Sequence, residues 1–294
     1  MQNPSFMLCV GAAHWDIIGR TSTKLAMGDD VTGRVERRPG GVALNLALGL
    51  ARHGIRVSLC SAVGDDAEGS ALINHLENSG VASTYMARIE GAATGHYIAI
   101  EDDRKALFAA IADTALLDNS ADTVVEQAIS ALASVSTVVL EANLAATALQ
   151  KIAHHGAKAG ARIIANPVSP AKAHRLGVLL SGDVAPTLVV NLAEACVLLE
   201  RSFNTSIDAA RALQARCTAT ALVTDGPRPA ALATPDEVVT ANPPQTPGAA
   251  SITGAGDALM SAFLASQDRQ DAPGDSLRFA LSAAAAHMQN GEAA

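Results

Sequence analysis

The chain has 294 residues, of which 49% are hydrophobic, 17% charged and 3% aromatic, and its formal net charge is −8. This composition supports a sizeable core and argues against wholesale disorder. An acidic chain with few aromatic side chains is also a poor binder of nucleic acid or of an anionic membrane surface. The length suits one large α/β domain or two small ones.

The sequence is typical of a soluble cytoplasmic protein. No apolar run reaches the roughly 20 residues of a membrane span, and the N-terminus lacks the features of a secretory signal. The four cysteines, Cys9, Cys60, Cys196 and Cys217, form no CxxC pair. Two of them lie in apolar runs, so we expect buried free thiols, with a disulfide as the alternative.

Strand and helix patterns alternate in the first eighty residues, which predicts a parallel sheet covered by helices. The helices begin after glycine-containing turns, Gly40-Gly41 and residues 64–69. The predicted elements are, in chain order, a strand over 6–10, a helix over 42–52, a strand over 55–60 and a helix over 70–79.

Two segments break this alternation. Residues 17–38 are polar, and within 91–113 two apolar runs flank a polar turn, 101–105, as in a β-hairpin. We expect both segments to form a small β-strand lid on a single domain spanning 1–294. Unpaired strand edges invite pairing, so the hairpin edge also suggests a homodimer through the lid.

Strands are predicted again in the second half of the chain, and each is followed by a polar residue. In open α/β sheets, ligands bind along the edge where the parallel strands end. We therefore expect a site at that edge. The predicted strands span 137–140, 161–165, 188–190 and 221–224, and the polar residues that follow begin at Glu141, Asn166, Asn191 and Asp225.

The segment Ser251-Ile-Thr-Gly-Ala-Gly-Asp257 precedes an apolar helical run over 258–264. A helix N-terminus carries unpaired N–H groups and partial positive charge, and Gly254 and Gly256 allow close approach of a ligand. The pattern predicts an anion cradle beside a carboxylate base, which phosphoryl transfer to an alcohol requires. A tight turn with Asp257 as a helix cap is the alternative.

Five motifs occur in the order and approximate spacing of the ribokinase-like (PfkB) sugar and nucleoside kinases, which the chain resembles from about residue 6 to 290. The resemblance implies a three-layer α/β/α sandwich with a mostly parallel central sheet and a kinase that uses ATP and Mg²⁺. The motifs are Gly40-Gly41 with Asn45, Gly64-x-Asp66-x-x-Gly69, Asn191-x-x-Glu194, Thr224-x-Gly226 and Thr253-Gly-Ala-Gly-Asp257.

The resemblance also implies roles for individual residues. Asp257 would be the catalytic base, and the amides of Gly254, Ala255 and Gly256 would bind the γ-phosphoryl group. ATP would be bound by Asn191, Thr224, Gly226 and Thr253, and the metal by Glu194, acting with Asn191 through water. Without the resemblance, the Asn191/Glu194 pair is typical of a solvated helix face, and Thr224 with Gly226 of an ordinary turn.

For the acceptor, Asp16 can accept hydrogen bonds from both hydroxyls of a vicinal diol, and a surface turn residue is the alternative. The favoured acceptor is the 5′-hydroxyl of a ribosyl compound, above all pseudouridine. Ribose, adenosine and a keto-deoxy sugar acid are alternatives, as is a non-catalytic nucleoside-binding module. The remaining acceptor candidates are Gly40, Gly41, Asn45, Glu141, Asn143, Asn166 and Lys172.

Three departures from the family pattern bear on these expectations. Ser251 stands where many relatives have an aspartate near a monovalent cation, which leaves potassium dependence open. Val42 replaces a lysine of ribokinase proper, which disfavours ribose. Relatives continue beyond the equivalent of Ala294, so either the C-terminus is naturally short or the nucleotide site is incomplete.

Overall fold

The computed structural model describes residues 6–104, 106–180, 184–217, 220–246 and 253–290. These residues form two sheets. The larger has nine strands in the order β13-β12-β11-β10-β9-β8-β1-β4-β5, and the smaller has four in the order β3-β2-β6-β7. The strands are β1 (Phe6–Val10), β2 (His14–Thr21), β3 (Gly33–Gly40), β4 (Arg56–Gly64), β5 (Ala82–Ile89), β6 (His96–Glu101), β7 (Leu107–Asp113), β8 (Thr137–Glu141), β9 (Arg162–Asn166), β10 (Thr187–Asn191), β11 (Ala221–Asp225), β12 (Arg228–Ala233) and β13 (Val238–Ala241).

Helices cover both faces of the larger sheet, which gives the three-layer α/β/α sandwich that the sequence predicts. A short 3₁₀ helix spans His174–Leu179. In the part of the chain that the structure describes, no helix is long and apolar enough to cross a membrane. The helices are α1 (Val42–Arg52), α2 (Ala67–Asn78), α3 (Ala115–Asn119), α4 (Ala121–Ala131), α5 (Ala146–Lys158), α6 (Pro170–Ala173), α7 (Leu192–Leu198), α8 (Ser206–Cys217), α9 (Ala255–Asp268) and α10 (Pro273–Asn290).

The central strand β1 contributes side chains to both halves of the core. Leu8 and Val10 pack with residues of α4, α5 and α8, whereas Met7 and Cys9 pack with residues of α1, α2, α9 and α10. Burial on both faces explains why this strand is a continuous apolar run rather than an alternating one. Among the described side chains, Cys9, Cys60 and Cys196 are free thiols, as expected; the side chain of Cys217 lies outside the description.

Seven strands of the larger sheet run parallel, and the last two pair antiparallel at one edge. The parallel strands therefore end along one common edge. Asn191 at the end of β10 is the register partner of Thr224 on β11, and Glu141 at the end of β8 is the partner of Asn166 on β9. The fold thus aligns two pairs of predicted site residues.

The smaller sheet contains the two segments predicted as a lid, but its first strand begins before residue 17, where the sequence analysis starts the lid. The strand β2 starts at His14, so Asp16 lies inside a strand and not in a turn after β1. The hairpin of β6 and β7 is antiparallel, as predicted. Sequence reasoning identified neither β5, which extends the larger sheet, nor the antiparallel pair β12 and β13.

Polar contacts attach the smaller sheet to the beginning of α2. Asp66 caps α2 by accepting a hydrogen bond from the Gly69 N–H, and its carboxylate also accepts bonds from the Thr94 N–H and hydroxyl. The indole of Trp15 on β2 donates to the carbonyl oxygen of Glu68 at 3.0 Å. The Gly64-x-Asp66-x-x-Gly69 motif thus contributes to the join between the two sheets.

Candidate active site

Asp257 lies in the first turn of α9, in a half-buried position. Its Oδ2 accepts a hydrogen bond of 2.9 Å from the side-chain amide of Asn45, which is 212 residues away in the sequence. Burial raises the pKa of the Asp257 carboxyl to about 7, the Asn45 bond opposes that rise, and the negative charges of Glu141 and Asp16 add to it. The fold therefore gathers three carboxylates around one helix N-terminus.

The turn before Asp257 has the geometry of an anion-binding loop. Gly254 is the N-cap of α9 with φ of 81°, a left-handed conformation that favours glycine. The first α9 bond to the cap runs from the Ala258 N–H to the Gly254 oxygen, so the N–H groups of residues 255–257 precede the helix's own ladder. Among the described residues, a Cβ on Gly256 would meet no neighbouring atom within 4 Å, so these residues leave room beside the turn.

The start of this loop is fixed from α10. A ring nitrogen of His287, Nε2, lies 2.8 Å from the carbonyl oxygen of Thr253. Ser251 and Ile252 lie outside the described residues. The α9 N-terminus, with Thr253, Gly254, Ala255 and Gly256, is thus assembled as the sequence predicts, while their roles toward a phosphate stay predictions.

Two side chains of the smaller sheet, a histidine and an arginine, lie beside Asp16 on β2. Its Oδ1 lies 3.2 Å from Nδ1 of His14, and its Oδ2 lies 3.6 Å from Nε of Arg38 on β3. A Cβ on Gly40 would lie 2.2 Å from Asp16 Oδ1, so a side chain there would displace the Asp16 carboxylate from its present position. Sequence reasoning missed Arg38, although the strand alternation of 33–40 could have placed it opposite Asp16.

Gly41 and Asn45 both lie where α1 begins. Gly41 is the N-cap of α1 with φ of 103°, and a Cβ there would lie 2.2 Å from the carbonyl oxygen of Ala12. Asn45 occupies the first turn of the helix and points its amide at Asp257. The acceptor candidates on this helix are therefore brought to Asp257 by close backbone packing.

Four more acceptor candidates lie at or after the ends of β8 and β9. Most of their polar atoms form hydrogen bonds with other residues of the protein. Glu141 is fully buried, and its two oxygens accept from the N–H groups of Ala12 at 2.5 Å and Asn143 at 2.8 Å. Lys172 donates to the side-chain oxygen of Asn143. The Asn166 amide bonds to the carbonyl of Val189 and to the N–H of Val168.

The Asn191-x-x-Glu194 motif forms a capping box at the start of α7. The Asn191 side chain accepts from the Glu194 N–H at 2.9 Å, and the Glu194 carboxylate accepts from the Asn191 N–H at 2.8 Å. Glu194 is 5% exposed, so the pair is not a solvated helix face. Burial is the main cause that raises the pKa of the Glu194 carboxyl.

These residues fit Mg²⁺ bound mainly through phosphate and water. Within the described ranges, no group of three or more His, Cys, Asp or Glu side chains is arranged to hold a metal ion. Mg²⁺ keeps several of its waters and is usually held by one or two carboxylates together with substrate phosphates.

The two remaining ATP-binding candidates lie near Asn191. Thr224 on β11 is its register partner, and Gly226 turns the chain into β12 with φ of 56°.

Comparison with known proteins agrees with this geometry. The family described as pfkB family carbohydrate kinase matches residues 5–294. The pseudouridine kinase of Escherichia coli (strain K12) is 31% identical over 113 residues, 38% of this chain and 36% of that protein. The ribokinase of Bacillus subtilis (strain 168) is 32% identical over 100 residues, 33% of this chain and 34% of that protein. The matches thus span about a third of the length of these curated relatives.

Solved structures share the fold over almost the whole chain. A carbohydrate kinase from Agrobacterium tumefaciens superimposes with a TM-score of 0.81 at 25% identity, covering 98% of this chain and 92% of that one. The ribokinase of Arabidopsis thaliana complexed with ribose and ATP gives a TM-score of 0.79 at 20% identity, with coverage of 98% and 93%. The chain therefore belongs to the pfkB family of carbohydrate kinases and has the ribokinase-like fold.

Proposed function

We propose that the chain is a kinase that transfers the γ-phosphoryl group of ATP to the 5′-hydroxyl of a ribosyl compound, with pseudouridine as the favoured acceptor. The observation that carries this proposal is Asp257, a carboxyl group with a pKa of about 7 in the first turn of a helix whose first N–H groups precede the helix's own hydrogen-bond ladder. A base poised near neutral pH and an adjacent anion cradle are the two requirements of phosphoryl transfer to an alcohol.

In this mechanism, the acceptor hydroxyl loses its proton to Asp257 while its oxygen attacks the γ-phosphorus and ADP leaves. The N–H groups of Ala255 and Gly256 bind the transferring phosphoryl oxygens. Asn191 and Glu194 would hold Mg²⁺ through its waters, and the bound ion would supply positive charge to neutralise the phosphates. Thr224 and Gly226 border the nucleotide, and Asp16 binds a vicinal diol of the acceptor with Arg38 beside it.

The smaller sheet would act as a lid on the acceptor. Asp16 and Arg38 lie on its strands, so the acceptor would lie between this sheet and the edge of the larger one. Closure of such a lid excludes water, which would otherwise compete as the acceptor. Similarity to pseudouridine kinase supports pseudouridine; similarity to ribokinase makes ribose the second candidate, although Val42 replaces the lysine of ribokinase proper.

The test is ADP release with ATP, Mg²⁺ and a panel of pseudouridine, uridine, adenosine, ribose and fructose, with and without potassium. We expect turnover with pseudouridine, and Asp257→Asn should lower it by about 100-fold or more while ATP binding persists. The exposed Asp236→Asn is the matched control. Turnover with a different acceptor would replace pseudouridine, and saturable nucleoside binding without ADP release would overturn the kinase proposal.

A further inference from the structure

Glu141 is a fully buried carboxylate whose contacts lie inside the protein. Its Oε1 accepts a hydrogen bond from the Ala12 N–H and its Oε2 one from the Asn143 N–H. A Cβ on Gly11 would lie 2.0 Å from Oε1, so the chain passes directly against the carboxylate. Both oxygens are thus directed at backbone, an arrangement suited to fixing a loop.

The Ala12 peptide that Glu141 holds is in turn packed against the start of α1. The Ala12 carbonyl oxygen accepts from the Leu44 N–H at 3.3 Å, and Gly41 approaches it so closely that a Cβ would lie 2.2 Å away. One residue, Ala12, therefore lies between the Glu141 carboxylate and the first turn of α1: its N–H bonds to Glu141 and its carbonyl oxygen bonds to Leu44. A displacement of Ala12 displaces that turn.

The first turn of α1 also carries Asn45, which donates its side-chain amide to Asp257 Oδ2 at 2.9 Å. We infer that Glu141 is a positioning residue that holds Asp257 in place through the Ala12 peptide, helix α1 and Asn45, and that it is not a ligand of the acceptor. The inference rests on the proposed function, in which Asp257 is the base.

The charges around this chain of contacts support the inference. Asp16 on β2 and Glu141 on β8 both act on Asp257 and raise its pKa, while Lys172 opposes the burial that raises the pKa of Glu141 to about 6. Asp16 itself has His14 and Arg38 beside it. A carboxylate held among these charges needs a fixed orientation, which the Asn45 bond provides.

The test is a double-mutant cycle with Glu141→Gln, Asn45→Ala and the double variant, assayed for kcat and for the KM of ATP and acceptor. We expect each single variant to lower kcat by about ten-fold or more with the KM of the acceptor little changed, because small displacements of a catalytic group are costly. The double variant should be no worse than the poorer single one, which reveals coupling. Glu126→Gln, on the exposed face of α4, is the control.

Two results would overturn the inference. Additive losses of kcat would mean that Glu141 does not act through Asn45, and a large rise in acceptor KM with kcat retained would make Glu141 an acceptor ligand. If Glu141→Gln does not fold, Glu141→Asp replaces it, because the carboxylate then lies one methylene short of the Ala12 N–H and should give the same coupled loss.

A readout without turnover separates this inference from the proposed function. With ¹⁵N-labelled asparagine, the side-chain amide resonance of Asn45 should shift in Glu141→Gln and in Asp257→Asn, but not in Glu126→Gln. An unshifted resonance in Glu141→Gln overturns the inference even in an active enzyme. If the wild-type protein turns over no acceptor but the Asn45 resonance still shifts in Glu141→Gln, the kinase proposal is contradicted and the inference about Glu141 stands.

Discussion

Asp257 is harder to ionise than an ordinary aspartate because it is removed from water beside two other carboxylates. Its pKa of about 7 means that the proton-accepting form is lost as the pH falls through neutrality. We therefore expect kcat/KM to rise with pH through about 7 and to level off above it. A profile measured from pH 5 to 9 that stayed flat across that range would show that Asp257 is not the base.

The same pKa predicts how stability depends on pH. A carboxyl group whose pKa is raised from 3.8 to about 7 in the folded state stabilises the protein below pH 4, and this contribution is lost as the pH rises through 7. Asp257→Asn does not ionise and therefore does not lose this stability. We expect its free energy of unfolding to exceed that of wild type by a few kcal/mol at pH 8 and by much less at pH 4. Denaturant unfolding at both pH values checks this, with Asp236→Asn as control; a variant less stable than wild type at pH 8 would contradict it.

Substitution of Gly256 should reduce turnover without reducing stability. Gly256 lies within α9, and a Cβ there would meet no neighbouring atom of the described residues within 4 Å, so Gly256→Ala should leave stability unchanged or raise it by about 0.5–1 kcal/mol. The same methyl would occupy the space in which a phosphate approaches the helix N-terminus, and we expect turnover to fall by about ten-fold or more. Gly177→Ala, at another glycine with open space, should leave turnover intact, and equal turnover in both variants would show that no phosphate binds there.

At the scale of elements, the join between the two sheets depends on one buried threonine. The Thr94 hydroxyl accepts from the Gly64 N–H at 3.0 Å and donates to Asp66 at 2.7 Å. Thr94→Val keeps the shape but leaves the Gly64 N–H unpaired, which costs about 1–3 kcal/mol. We expect Thr94→Val to lower the Tm and to raise the KM of the acceptor more than the KM of ATP. The exposed Thr240→Val is the control. An unchanged Tm and an unchanged acceptor KM would show that the join does not depend on this hydroxyl.

The sequence predicts six of the seven parallel strands and α1 well because buried strands are continuous apolar runs and glycines mark the helix starts. It fails at β5, β12 and β13, whose alternating or short patterns do not distinguish a strand from a loop. The capping box of Asn191 and Glu194 could not be predicted, since spacing alone does not show whether two side chains bond to backbone, and without the family resemblance the pair is typical of a solvated face.

The candidate site also contains some features that the sequence predicts and others that it does not. The anion-binding turn is local in sequence, so its residues could be predicted from seven consecutive positions. The bond between Asn45 and Asp257 joins positions 212 residues apart, and the burial of Glu141 depends on how β1 and β8 pair. Such features follow from tertiary packing, which no local pattern contains.

At the scale of the whole molecule, the smaller sheet has an apolar face turned to solvent. Val35, Ile98, Ile100 and Ile111 are 71%, 41%, 43% and 68% exposed, and the strand register places them together: Ile98 pairs with Ile111, and Val35 and Ile100 both pair with Gly19. Contiguous exposed apolar surface is typical of an interface. The homodimer through the lid therefore remains our prediction, now with this face as its contact surface.

Light scattering after size exclusion tests the dimer. We expect twice the chain mass of 29.9 kDa, and a monomer for Ile98→Lys combined with Ile111→Lys, because a self-complementary contact places each charge against its own copy. Lys substitution at the exposed Phe279, which lies on α10 away from this face, is the control. A wild-type monomer at micromolar concentration would contradict the prediction.

Only residues 11–13 connect the last residue of β1 with the first residue of β2, so those two residues lie at most roughly 14 Å apart. The strand that carries Asp16 therefore cannot move far without pulling on Ala12, and Ala12 abuts the helix whose Asn45 holds Asp257. Ligands on the two sides of the site should accordingly affect each other's affinity. We expect an acceptor that draws β2 inward to tighten nucleotide binding, and by thermodynamic reciprocity the nucleotide should then tighten acceptor binding by the same factor.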